Sequence, residues 1–127
     1  MNIDFLLAAA DMDGTLLNSK RKITKRTQET IKKVIDRGVY FVPATGRAVN
    51  ALPGELKAIE GIRYGIFSNG ATVYDLQKQE VIYRNHFEPK RALELIRCLR
   101  SFDLMISISQ GGQSFGERIP MEHLDYY

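Results

Sequence analysis

Disulfide cross-linking is excluded within this chain, because its 127 residues include one cysteine, Cys98, set in an apolar helical pattern with Leu95, Ile96 and Leu99. A reduced, cytoplasmic setting is the expectation. Long hydrophobic runs are also missing: no uncharged stretch approaches the roughly 20 residues needed to cross a bilayer. The start does not read as a secretory leader, since Met-Asn-Ile-Asp places an acid before an apolar run that ends at Asp11. No membrane partner is expected. Charge of one sign is scarce as well, with 18 Lys and Arg against 15 Asp and Glu giving a net charge of +3. The basic residues are scattered over 20–33, Lys57, Arg84 and 90–100 without interleaved aromatics, which argues against a nucleic-acid partner.

The 44% of hydrophobic residues is ample for one domain, or one domain with an appended piece. Residues 5–10 are continuously apolar and stop at Asp11-Met12-Asp13-Gly14, the pattern of a central strand buried on both faces. Thr24 is placed to cap a helix over Lys25–Arg37, whose Ile31, Val34 and Ile35 share a face, with Gly38 ending it. A second apolar strand, Val39–Val42, leads into Pro43-Ala44-Thr45-Gly46-Arg47. Val49, Leu52, Leu56 and Ile59 then predict a second helix, which Pro53 should kink or restart. Tyr64–Phe67 reads as a third buried strand, closed by Ser68-Asn69-Gly70. Strand and helix in this alternation imply an α/β fold with a Rossmann-like parallel sheet and right-handed crossovers.

From Ala71 the pattern changes. Thr72–Tyr74 and Val81–Tyr83 flank a polar turn and read as a β-hairpin. Residues 88–101 have helical periodicity, Leu104–Ile108 alternates like a strand, and residues 110–127 show no clear element. The boundary is therefore placed between residues 1–84, part of a core domain, and 85–127, the start of an α+β unit.

In an open parallel sheet, ligands bind beyond the carboxyl ends of the strands, so the loops at Asp11–Asp13, Thr45–Arg47 and Ser68–Gly70 should converge. Two acids two residues apart on an extended segment project to one side. Chemistry at phosphorus needs an attacking oxygen, a proton for the leaving oxygen and positive charge to balance the developing negative charge. Asp11 suits attack and Asp13 suits proton transfer, while Asp11 also offers Mg2+ the hard oxygen ligand that it prefers. Gly14 allows a sharp turn, which the Thr15 hydroxyl is placed to fix. Thr45 brings a hydroxyl and Gly46 an unobstructed N–H at the start of a helix, a seat for phosphate. Arg47 either clamps that phosphate or pairs structurally.

Asp11-Met12-Asp13-Gly14-Thr15-Leu16-Leu17 resembles the first motif of the haloacid dehalogenase (HAD) superfamily. Drawn at random, the four specified residues of Asp-x-Asp-Gly-Thr would occur in a chain this long about once in a thousand. Ala44-Thr45-Gly46-Arg47 is similar to the second motif, and Ser68-Asn69-Gly70-Ala71 to the third-strand loop of the Cof-type sub-group, in which an α/β cap follows. The resemblance implies that Asp11 is transiently phosphorylated and that Asp13 is general acid and base, its carbonyl joining Asp11 as a ligand to Mg2+. It also implies that Thr45 holds the phosphoryl group, with the substrate-binding Asn69 and Gly70 beside it. ATPases of the superfamily carry Thr where this chain has Asp13, so hydrolysis of a small phosphorylated metabolite is the implied activity.

The family also has a Lys after the cap and a later Gly-Asp-x-x-x-Asp that adds metal ligands. Nothing after Tyr83 matches either, since Asp103 and Asp125 lack the preceding Gly and Lys90 opens a predicted cap helix. The resemblance thus implies a chain cut within its cap, with self-association through an incomplete sheet or cap and exposed Tyr126-Tyr127. A phosphate-binding but silent fragment, or a phosphomutase, are the alternatives. His86 and His123 stand apart from any metal-ligand spacing and are given no role.

Overall fold

The computed structural model describes residues 5–116. The expectations for His123, Asp125, Tyr126 and Tyr127 lie outside the described residues. Two compact units divide the chain, Met1–Asn85 and His86–Tyr127.

The first unit contains β1 (Leu7–Asp11), α1 (Lys25–Ile35), β2 (Tyr40–Ala44), α2 (Gly54–Lys57), β3 (Tyr64–Phe67), β4 (Thr72–Asp75) and β5 (Glu80–Arg84). They form one sheet in the order β1-β2-β3-β4-β5. The first three strands run parallel, with Asp11 beside Ala44 and Ala44 beside Ile66. This register brings their carboxyl ends level and their following loops to one end of the sheet. The predicted hairpin does not leave the sheet: β4 pairs antiparallel with β3 and β5 with β4, so the sheet is mixed.

The expected helix over residues 25–37 starts where Thr24 caps it, its Oγ1 accepting the Thr27 N–H at 3.1 Å. It ends two residues early because Gly38 N–H donates to the Ile35 carbonyl at 2.8 Å, a tight closing turn. Ile31 from α1, Leu56 from α2, Phe41 and Phe67 from the sheet, and Met12 and Leu17 from the loop after β1 share one core.

Three expectations need correction. β1 is not buried on both faces among the described residues, where its one strand neighbour is β2 and Leu7, Ala9 and Asp11 are exposed. An apolar run reports a low tolerance for water, not the number of neighbours, so continuous hydrophobicity cannot separate the edge from the centre. The long helix predicted from Val49 is a 3-10 turn, Val49–Ala51, followed by the four-residue α2. Pro53 lacks an N–H and drives Leu52 to an extended conformation (φ −65°, ψ 127°), which divides the segment although Leu52, Leu56 and Ile59 are all buried.

The third correction is in the second unit, where α3 (Pro89–Leu99) precedes a hairpin of β6 (Ser107–Gln110) and β7 (Gln113–Gly116). The strand predicted at Leu104–Ile108 begins later, and residues 110–116 are ordered into the hairpin. Gly111 and Gly112 form its two-residue turn with φ of +59° and +79°, the geometry in which adjacent left-handed residues match strand twist.

Asp75 ties the β4–β5 turn to the core. Its carboxylate, 2% exposed, accepts the Gln77 and Lys78 N–H groups at 3.0 and 2.9 Å and the Arg63 Nε–H at 3.0 Å. The Lys78 amide first, then the Arg63 guanidinium, hold its carboxyl below the ordinary value of 3.8. A lowered folded pKa stabilises the fold at pH above the unfolded value and loses that contribution as pH falls through the folded one. Asp75→Asn is therefore expected to destabilise the chain at neutral pH and to flatten the acid limb of its stability profile, as measured by urea unfolding from pH 7 to 2. An unchanged acid limb would contradict this assignment.

Candidate active site

Asp11 is the last residue of β1, and the chain then folds back on itself. Leu17 N–H donates to the Met12 carbonyl at 2.9 Å, and Gly14 takes φ +80° at the bend. Met12 and Leu17, 0% and 5% exposed, anchor the loop in the core. Asp11 and Asp13 flank the buried Met12 and are both exposed, in keeping with the two-residue alternation. The Thr15 hydroxyl reaches Asp11 Oδ2 at 3.3 Å, so it steadies the candidate nucleophile as well as the turn.

The loops after β2 and β3 are stitched together. Thr45 N–H donates to the Ile66 carbonyl at 2.9 Å, Asn69 N–H to the Thr45 carbonyl at 3.2 Å, and Ser68 N–H to the Arg47 carbonyl at 2.9 Å. Thr45 is 6% exposed, and its Oγ1 accepts the Arg47 N–H at 3.1 Å while keeping a hydrogen to donate. Ser68 and Asn69 both adopt left-handed conformations, φ +51° and +54°, unusual for residues with a Cβ and found where surroundings impose them. That bend carries the Asn69 side chain against Gly46, where an added Cβ would lie 2.7 Å from Asn69 Oδ1. Glycine at 46 keeps this approach open, and Gly70 follows exposed beside it.

No helix begins at Gly46, contrary to expectation, because the backbone passes through buried Ala48 into the 3-10 turn. Thr45 and Gly46 consequently offer a hydroxyl and a loop amide, without a helix dipole.

Arg47 turns toward Asp13. Its Nε–H donates to Oδ2 at 2.9 Å and its Nη2–H to Oδ1 at 2.6 Å, a bidentate pair. That guanidinium holds the Asp13 carboxyl below the usual carboxylate range. Sequence reasoning left Arg47 between phosphate clamp and structural pairing and did not anticipate Asp13 as partner. No local pattern signals a contact between residues 34 positions apart.

A bound Mg2+ would find the Asp11 carboxylate and the Asp13 carbonyl, both hard oxygens suited to it. Among the described residues no group of three or more His, Cys, Asp or Glu is gathered.

A family profile for haloacid dehalogenase-like hydrolases matches residues 8–125. The chain belongs to that family. A Buchnera aphidicola protein provisionally named a phosphatase is 38% identical over 105 residues, covering 82% of this chain and 39% of its own length. Another relative, 5-amino-6-(5-phospho-D-ribitylamino)uracil phosphatase YcsE from Bacillus subtilis, is 30% identical over 91 residues, covering 68% of this chain and 36% of itself. Among solved structures, a haloacid dehalogenase-like hydrolase from B. subtilis superposes with a TM-score of 0.81 at 27% identity, over 96% of this chain and 42% of that one. The chain thus spans about two-fifths of the length of these HAD relatives.

Proposed function

We propose that the protein is an Mg2+-dependent phosphohydrolase that acts on small phosphorylated metabolites through an aspartyl-phosphate on Asp11. The observation that carries this reading is the placement of two exposed carboxylates, Asp11 and Asp13, around a buried Met12 at the strand ends that also present Thr45. An Asp11 oxygen attacks phosphorus, the ester P–O bond breaks, and the leaving oxygen takes a proton from Asp13. Water then attacks the phosphoryl group, its proton goes to Asp13, and inorganic phosphate leaves with the Asp11 carboxylate restored.

Thr45 donates its hydroxyl hydrogen to the phosphoryl oxygens, the Gly46 amide adds a second donor, and Asn69 and Gly70 border the substrate. Bound through Asp11 and the Asp13 carbonyl, Mg2+ supplies positive charge to the phosphoryl group. The unit from His86 onward is the beginning of an α+β cap that selects substrates. The reading places the protein in the cytoplasm. Among the described residues no helix is long and apolar enough to cross a membrane. Among the described residues no strand pairs with the outer edge of β1, where Leu6 is 80% and Leu7 54% exposed, and this edge supports self-association, which light scattering across a concentration series would reveal.

The expected result is Mg2+-dependent release of p-nitrophenol from p-nitrophenyl phosphate that disappears in Asp11→Asn. Turnover surviving that substitution would overturn the nucleophile assignment. No turnover by the wild-type chain would favour a silent phosphate-binding unit. Transfer to an acceptor in place of water, seen as no ¹⁸O from labelled water in released phosphate, would favour a phosphomutase or phosphotransferase.

A further inference from the structure

Both carboxylate oxygens of Asp13 are taken by one guanidinium, that of Arg47. Each of the Asp13 oxygens accepts one guanidinium N–H, which holds the group as an ionised carboxylate turned toward Arg47. Arg47 is meanwhile tethered at the anion seat, since its own N–H is bonded to Thr45 Oγ1 and its carbonyl accepts Ser68 N–H. A phosphate docked on Thr45 therefore arrives two residues from a guanidinium with a long, pivoting side chain. The pair is partly exposed, 28% at Arg47 and 52% at Asp13. Water reaches both partners, so hydration offsets part of what separating this bidentate pair costs. A phosphoryl group presents more negative charge than a carboxylate and the same spacing of acceptor oxygens to an Arg fork.

We propose that Arg47 changes partners when a phosphate ester docks, letting go of the Asp13 carboxylate as it takes hold of the phosphoryl oxygens; the freed carboxylate takes up a proton from solvent water and passes it to the leaving oxygen. The site thereby keeps its acid occupied until a phosphate ester is seated. The inference rests on the reading of Asp13 as acid and base and of Thr45 as phosphate seat. It adds a coupling between the two that neither role requires.

Calorimetric titration of the 127-residue chain with inorganic phosphate in Mg2+ buffer tests it through a double-mutant cycle. Asp13→Asn keeps the side-chain shape and weakens its hold on Arg47. It is expected to tighten phosphate binding about tenfold with Arg47 present and less than about twofold in an Arg47→Ala background. The second background measures what removal of a nearby negative charge does by itself. Equal factors in the two backgrounds, or weaker binding in Asp13→Asn, would overturn the exchange. Phosphate affinity unaffected by Thr45→Val, or no phosphate binding at all, would instead overturn the functional reading and the exchange with it. A second readout needs no change at Arg47: its Nε–H resonance should move when phosphate is added to the wild-type chain. A resonance that stays in place while phosphate binds would also count against the exchange.

Discussion

Phe67→Ala is expected to lower the unfolding free energy by about 3–5 kcal/mol, the usual result of emptying a fully packed aromatic site. Phe67 is 0% exposed and ends β3, and its ring lies across Gly65, where an added Cβ would come within 2.5 Å of it. Set against a whole-domain stability of roughly 5–15 kcal/mol, this is a large share. Urea unfolding should show a lower midpoint with an unchanged slope. Phosphate affinity should decline with it, because Ser68 and Asn69 hold left-handed conformations immediately after Phe67 and such conformations persist only where packing imposes them. A loss below about 1 kcal/mol would mean that the sheet does not depend on this ring, contrary to its burial.

Asp13→Asn is expected to lower kcat/KM for an alkyl phosphate by about 10²–10⁴-fold, the range in which a positioned general acid contributes. The same substitution should cost less with p-nitrophenyl phosphate, because p-nitrophenolate departs without a proton whereas an alkoxide does not. This ratio reports the step in which the leaving group is expelled, so later attack by water does not obscure the comparison. An equal loss for both esters would move Asp13 from proton transfer to a purely electrostatic or structural part.

Much of this arrangement is legible from the chain alone, since its signals are local. Tyr64–Phe67 is a strand over the residues that its composition indicates, and Thr24 caps α1 as its hydroxyl suggests. The level ends of β1, β2 and β3 follow from strand-helix alternation, which forces parallel pairing and gathers Asp11, Thr45 and Ser68 at one end of the sheet. The failures arise where the deciding partner is distant or where backbone chemistry outweighs side-chain periodicity. At Leu52 the ring of Pro53 overrides a helical spacing that burial nevertheless respects. At residues 107–116 the Gly111-Gly112 pair carries the hairpin signal, while the alternation of Leu104, Ile106 and Ile108 draws the strand too early. The Arg47–Asp13 contact depends on tertiary placement alone and has no sequence signature.

β1 carries the candidate nucleophile and has β2 as its one strand neighbour among the described residues. In a parallel ladder half of such a strand's amides point away from that neighbour, and among the described residues no strand accepts them. The element that sets the aim of Asp11 thus has one ladder to oppose its fraying, whereas Thr45, just past the end of β2, is buried and bonded to Ile66 and Asn69. Fluctuations of β1 would spread the distance between the Asp11 carboxylate and Thr45 while spectroscopic measures of folding stayed constant. Any strand that docks on the outer edge of β1, from whatever chain, would narrow that spread and sharpen the site from a position that never touches the substrate.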